Sequence, residues 1–157
     1  YDNIGINIFL DKSLQNFFNI EIIIKFFPNA KFIHTYRNYN DAVIGIYQAM
    51  LPEISWSHEI ENIKNYIKIY KKTIDYFKNK YPNKILDVEL SELSNHKKKE
   101  TQKILDFCKI KYNDNSLDFN KNEKLFSKTY SFLQVRKQIA EYEDKKYQPY
   151  YYLLNNK

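Results

Sequence analysis

The chain has 157 residues, 43% of them hydrophobic and 17% aromatic, which is enough apolar material to bury one core and too much for a disordered segment. With 25 basic against 19 acidic residues the net charge is +6, which favours an anionic partner or substrate, the plainer alternative being a lysine-rich composition with solvated faces. A single cysteine, Cys108, excludes an internal disulfide framework and any multi-cysteine metal site.

Only 2 Gly and 4 Pro punctuate the chain, so long helices are expected. The opening "NIGINIFL" (3–10) alternates apolar and polar residues and reads as a short strand. "DKSLQNFFNIEIIIKFF" places Leu14, Phe17, Phe18, Ile22 and Phe26 at helical spacing, and Pro28 ends that helix. "AKFIHTY" (30–36) reads as a buried strand. "NDAVIGIYQAML" (40–51) reads as a helix started by Asn40 or Asp41 and stopped by Pro52. From His58 to Lys80 the spacing of Ile60, Ile63, Ile67, Tyr70, Ile74 and Phe77 predicts a long amphipathic helix.

A turn at "YPNK" leads to a third strand, "KILDVEL" (84–90). "SELSNHKKKETQKILDFCKI" returns to helix, with Ser94 or Asn95 as its N-cap and Ile104, Leu105 and Cys108 inward. Residues 111–128 are polar and irregular, "SFLQVRKQIAEY" can form one more helix, and the Tyr-rich "YQPYYYLLNNK" has no clear pattern. No apolar run is long enough to span a membrane, and the start has no signal-peptide pattern. Nor does any arginine stripe, zinc-finger or basic-zipper pattern point to nucleic acid.

Strands alternating with helices of a dozen residues predict an α/β fold with a parallel sheet and flanking helices, whose ligands lie beyond the carboxyl ends of the strands. Strand 3–10 runs into Asp11-Lys12, and strand 30–36 runs into Arg37-Asn38. Both deliver a cation to the rim, and the helix after Arg37 presents its N-terminal amides there. Arg37 is one of two arginines in a lysine-rich chain, and its planar donor fork suits a phosphate. The plainer alternatives are a rim lysine at Lys12 and an Arg37–Asp41 ion pair clamping the helix start.

These same segments resemble the sulfotransferase family, in particular its bacterial TPR-linked and tyrosylprotein-type members. "DKSLQNFFNIEIIIKFFPNAKFIHTYRNYNDAVIGIY" is similar to a family pattern D-K-x-x-x-N-F, helix, F-P-N-A-K-F-I, R-[ND]-P-x-D-x-x-x-S. "KILDVELSEL", "TQKILDFCKIKYNDNSLDFNKNE" and "TYSFLQVRKQI" follow in the family's order, so the likeness is colinear from about residue 9 to 150. The resemblance implies a P-loop-NTPase-like fold and transfer of a sulfuryl group from 3′-phosphoadenosine-5′-phosphosulfate (PAPS) to an alcohol or amine. His34, His58 and His96 are scattered and no Asp/Glu cluster has metal spacing, so no metal is expected.

Carried over residue by residue, the resemblance makes Lys12 the cation at the transferring group. It places Arg37 on the donor's 3′-phosphate, with Asn38, Gly45, Arg136 and Tyr147 in the donor-binding set. The pattern's serine is Gly45 here and its proline is Tyr39, so one phosphate contact is missing. The family's Gly-rich 5′-phosphosulfate loop is represented by neither Gly5 nor Gly45, which leads us to expect one sulfotransferase domain lacking its first strand, loop and helix, and inactive alone. Near the end, "EYEDKKYQPY" replaces a closing segment of the family and puts Glu143 and Asp144 near the phosphate. The acceptor (carbohydrate, peptide or small molecule) is left open, and a cytoplasmic location is expected. The alternatives are a non-catalytic binding module on the same fold and a nucleoside-triphosphate kinase.

Overall fold

A computed structural model of the chain describes residues 8–113, 117, 138–143 and 145–155. A 3-10 helix at Asn16–Phe18 leads into α1 (Ile20–Phe26), followed by β1 (Phe32–Tyr36) and α2 (Tyr39–Ala49). A 3-10 turn at Ser55–His58 precedes the long α3 (Ile60–Lys80), then come β2 (Ile85–Glu89), α4 (Leu90–Asn95) and α5 (Lys97–Cys108), and a 3-10 helix at Gln148–Leu154 closes the described chain.

The two strands pair in parallel, with Phe32 opposite Ile85 and Tyr36 opposite Glu89. Parallel neighbours need a crossover, which α2 and α3 supply between β1 and β2. The register brings both strands to an end together, at Tyr36 and Glu89, so the loops that follow share one rim. This mixed helix–strand architecture is compatible with the expected α/β class.

Helix α3 follows the hydrophobic spacing expected of it. Ile63, Ile74 and Phe77 are buried on one stripe, and Ile20 of α1 joins Ile74 and Phe77 in the main cluster, with Phe17, Ile24, Phe32, Tyr81 and Ile85 packed around it. Val43 and Ile44 of α2 and Val88 of β2 are fully buried as well. Each such aliphatic side chain stabilises the fold by about 1.5–3 kcal/mol relative to exposure.

Five expectations are corrected. The stretch 11–27 is not one helix. Asn19 interrupts it, and the buried side is Ile20 with Ile24, while Leu14, Phe18, Ile22 and Phe26 are exposed. The helix expected over 91–110 is split at His96, whose backbone (φ −122°, ψ 48°) leaves the helical region between α4 and α5. Neither Ser94 nor Asn95 caps α5: His96 holds that position without a side-chain cap bond. In the segment expected as strand 3–10, the described residues Ile8, Phe9 and Leu10 are irregular and exposed, and 3–7 lie outside the described residues. Of the helix expected over 131–142, residues 138–142 are irregular and the rest lie outside the described residues, as does most of 111–128. Among the described residues, no helix is long and apolar enough to cross a membrane.

Candidate functional site

The site begins with how α2 starts. Asn38 leaves the strand in extended conformation, and its side-chain oxygen accepts hydrogen bonds from the amides of Asn40 (2.9 Å) and Asp41 (3.2 Å). It is the N-cap, two residues ahead of Asn40 and three ahead of Asp41, the two candidates expected. The cap turns the chain so that Arg37, just before it, lies over α2, while Asp41 in the first turn points inward and is only 2% exposed.

Arg37 and Asp41 do not form the ion pair that their spacing allows. Asp41 accepts instead from two phenols, Tyr142 at 2.7 Å and Tyr151 at 2.6 Å. Both phenols come from the C-terminal segment, which thereby lies against α2. Further bonds hold that segment: the Tyr142 amide donates to the Asn95 side chain, and Lys64 Nζ donates to the Leu154 carbonyl at 2.9 Å. The carboxylate it donates to pushes the Tyr151 phenol up to about 12. Burial, reinforced by Asp41, also raises Tyr142.

The Arg37 guanidinium lies over two rings, Tyr142 at 5.9 Å from the centroid and Tyr147 at 4.9 Å. Stacked rings favour a cation electrostatically without neutralising it. Burial works against the charged guanidinium, but the surrounding phenols outweigh it, so the group is held protonated above its usual value. Its Nε is buried with no hydrogen-bond partner. No carboxylate among the described residues pairs with Arg37, so a partly enclosed cation keeps donor capacity for an oxyanion.

Next to it, a cavity of about 260 Å³ opens between Asn38 and Asp41 of the α2 start, Glu89 at the end of β2 and Ser91 of α4, and Tyr142, Gln148 and Tyr151 of the C-terminal segment. It lies at the carboxyl ends of the strands, where ligands of parallel sheets collect. Two carboxylates in its wall make it a place for hydrogen-bond donors, which leaves an anion to the Arg37 side.

Of the other residues expected in the site, Gly45 packs directly under Arg37 and Tyr147. Tyr147 is itself buried, at 9% exposure. Lys12 lies on an exposed irregular stretch before the Asn16–Phe18 turn, with no strand leading into it among residues 8–11 and no side-chain contact to Arg37. Arg136 and Asp144 lie outside the described residues, and Glu143 is exposed. Tyr142 and Tyr151 are site residues that the sequence did not reveal. They reach Asp41 from 101 and 110 positions away, and no local pattern reports such a contact. Among the described residues, no group of three or more His, Cys, Asp or Glu side chains could hold a metal ion.

A family model described as "Sulfotransferase family" matches residues 3–114, which is more than half of the chain. The chain belongs to the sulfotransferase family. It is also 26% identical over 145 residues to an uncharacterized protein of Aquifex aeolicus (strain VF5), an alignment covering 90% of this chain and 19% of that protein. The chain therefore spans about a fifth of the length of that relative. The matched segment contains both strands, the α2 cap and Arg37, so sulfotransferase membership and the geometry of the strand-end rim concern the same residues.

Proposed function

We propose that this chain carries the 3′-phosphate half of a PAPS site in a sulfotransferase that delivers a sulfuryl group to a hydroxyl or amine acceptor. The observation that carries this reading is Arg37: a half-buried guanidinium at a strand-end rim, flanked by aromatic rings and paired with no carboxylate among the described residues. Asn38 shapes the rim by capping α2. Gly45 and Tyr147 form the floor and wall of the phosphate position, and Arg136 is a further donor-side cation on the strength of the family resemblance. The resemblance also supports a P-loop-like donor site and TPR-linked or tyrosylprotein-type relatives.

In the transfer itself, the acceptor oxygen or nitrogen forms a new bond to sulfur as the bond to the phosphate's bridging oxygen breaks. Charge builds on that leaving oxygen, and the acceptor's proton passes to a base. Lys12, exposed and free to swing, is our candidate for the cation that stabilises the leaving oxygen. Positioning and charge stabilisation do most of the work in such a reaction. The 5′-phosphosulfate end asks for a Gly-rich turn, which neither Gly5 nor Gly45 supplies, so the chain by itself is expected to bind donor nucleotide without turning it over.

Calorimetry with adenosine 3′,5′-bisphosphate tests the Arg37 assignment. Arg37→Ala is expected to remove binding while circular dichroism stays unchanged, and Arg37→Lys to restore only part of it, since a lysine is a point charge without the fork. Undiminished binding by Arg37→Ala rejects the assignment. A second reading, a nucleotide-binding module without transfer activity, is favoured by the bonds from Tyr142 and Tyr151 to Asp41, which fasten the C-terminal segment over the rim. Binding with no transfer by any longer form of the protein supports that reading.

A further inference from the structure

Two hydrogen-bond donors meet over one glycine. A Cβ at position 45 would stand 3.5 Å from Arg37 Nη1 and 3.5 Å from the Tyr147 hydroxyl oxygen. Gly45 is in the middle of α2 with no positive φ, so backbone conformation does not demand a glycine there. What the glycine provides is room. A Cβ fits at ordinary contact distance, but any atom beyond it competes for space with the guanidinium or the phenol.

The Tyr147 hydroxyl is the odd one among the three phenols of this region. Tyr142 and Tyr151 each donate to Asp41. Tyr147 is the most buried of the three at 9% exposure, yet its hydroxyl donates to no carboxylate, carboxamide or carbonyl among the described residues. Its polar neighbour is Arg37, which itself lacks a carboxylate. The guanidinium donates to the Tyr147 hydroxyl, which keeps its own proton to give, and Arg37 Nε is buried with no acceptor, so the pair forms half of an oxyanion site.

We propose that the Tyr147 hydroxyl is the second donor to the phosphate held by Arg37, occupying the place that a side-chain hydroxyl at position 45 would otherwise fill. Gly45 then marks a relocated contact: the donor has moved from α2 to the C-terminal segment. Binding of the phosphate and seating of that segment become one event, since the same residue serves both. This rests on the nucleotide reading of the Arg37 site and adds to it the atom that completes the phosphate contact.

The test uses the full chain with two probes, adenosine 3′,5′-bisphosphate and adenosine 5′-monophosphate, which differ by the 3′-phosphate alone. Tyr147→Phe keeps the ring and its packing and removes one hydroxyl. It is expected to weaken the bisphosphate roughly tenfold and to leave the monophosphate unchanged. Adding Gly45→Ser to Tyr147→Phe is expected to recover most of that loss by returning a hydroxyl to the same place. Equal binding of the bisphosphate by wild type and Tyr147→Phe, with Arg37→Ala still defective, overturns the proposal and leaves the Arg37 reading standing. An equal loss for both nucleotides, or no recovery in the double variant, also overturns it, by showing a structural role. A wild-type chain that does not distinguish the two nucleotides defeats the Arg37 reading itself.

Discussion

Asp41 shows how one side chain can decide what its neighbours are free to do. Its carboxylate is almost fully buried and takes both of its hydrogen bonds from phenols, so it leaves Arg37 unneutralised. Had the two formed an ion pair, the rim would hold no spare cation. Hydrogen bonds to a charged group contribute about 1.5–3 kcal/mol each, so Asp41→Ala should lower the melting temperature and release the C-terminal segment to proteolysis. Tyr151→Phe should show a smaller drop in the same measurement, because one of the two bonds remains. An unchanged melting temperature and cleavage pattern in Asp41→Ala would show that these bonds do not hold the segment. Arg37 itself was legible in the sequence, as a rare arginine after an apolar strand. The cap was misplaced by two or three residues because Asn38, Asn40 and Asp41 are all competent caps, and only the backbone geometry chooses among them.

At the scale of elements, α3 was legible because its apolar residues alternate at three and four positions over twenty-one residues. The short α1 was not. With seven residues, its five apolar side chains outnumber what one face can bury, so periodicity fits more than one face, and packing against Ile74 and Phe77 selected Ile20. That cluster makes Ile74→Ala costly, at about 2–5 kcal/mol in urea unfolding, with a cost under 1 kcal/mol showing that the α1–α3 contact is not a core.

The sheet carries its own pH dependence. His34 Nδ1 lies 2.6 Å from Asp87 Oδ1 across the parallel ladder, Lys78 Nζ holds the other Asp87 oxygen at 2.7 Å, and Tyr36 and Tyr70 flank the imidazole. Burial lowers the His34 pKa below its ordinary 6.5 despite Asp87. The ring is therefore neutral, with Nδ1–H donating to Asp87, and its buried Nε2 has no acceptor for a second proton. A depressed histidine adds stability that is complete above the unfolded value and is lost as pH falls from about 6.5 towards the folded pKa. Urea unfolding at pH 7.5 and 5.5 should show that loss, and His34→Gln should flatten it. The same slope in His34→Gln would place its origin elsewhere.

For the molecule as a whole, the +6 charge and the strand-end rim act together. On the proposed reading, lysines spread over the surface would attract an anionic nucleotide at a distance, and the Arg37 site would hold it on arrival. Raising salt from about 50 to about 200 mM should slow association several-fold and change dissociation less, because long-range steering is screened while the enclosed contact is not. A salt effect confined to dissociation would contradict this division of labour. The α/β class and the sulfotransferase membership were both legible in the order of segments along the chain. The tyrosine cluster was not, since it forms only when residues a hundred positions apart are brought together over α2.

The central claim is that Arg37 reads a 3′-phosphate, and one titration addresses it. The wild-type chain is titrated with adenosine 3′,5′-bisphosphate and, separately, with adenosine 5′-monophosphate. The account predicts that the bisphosphate binds at least about tenfold more tightly, a difference near 1.4 kcal/mol that the extra phosphate alone must supply. Equal affinity for the two nucleotides, or binding of neither, would contradict it.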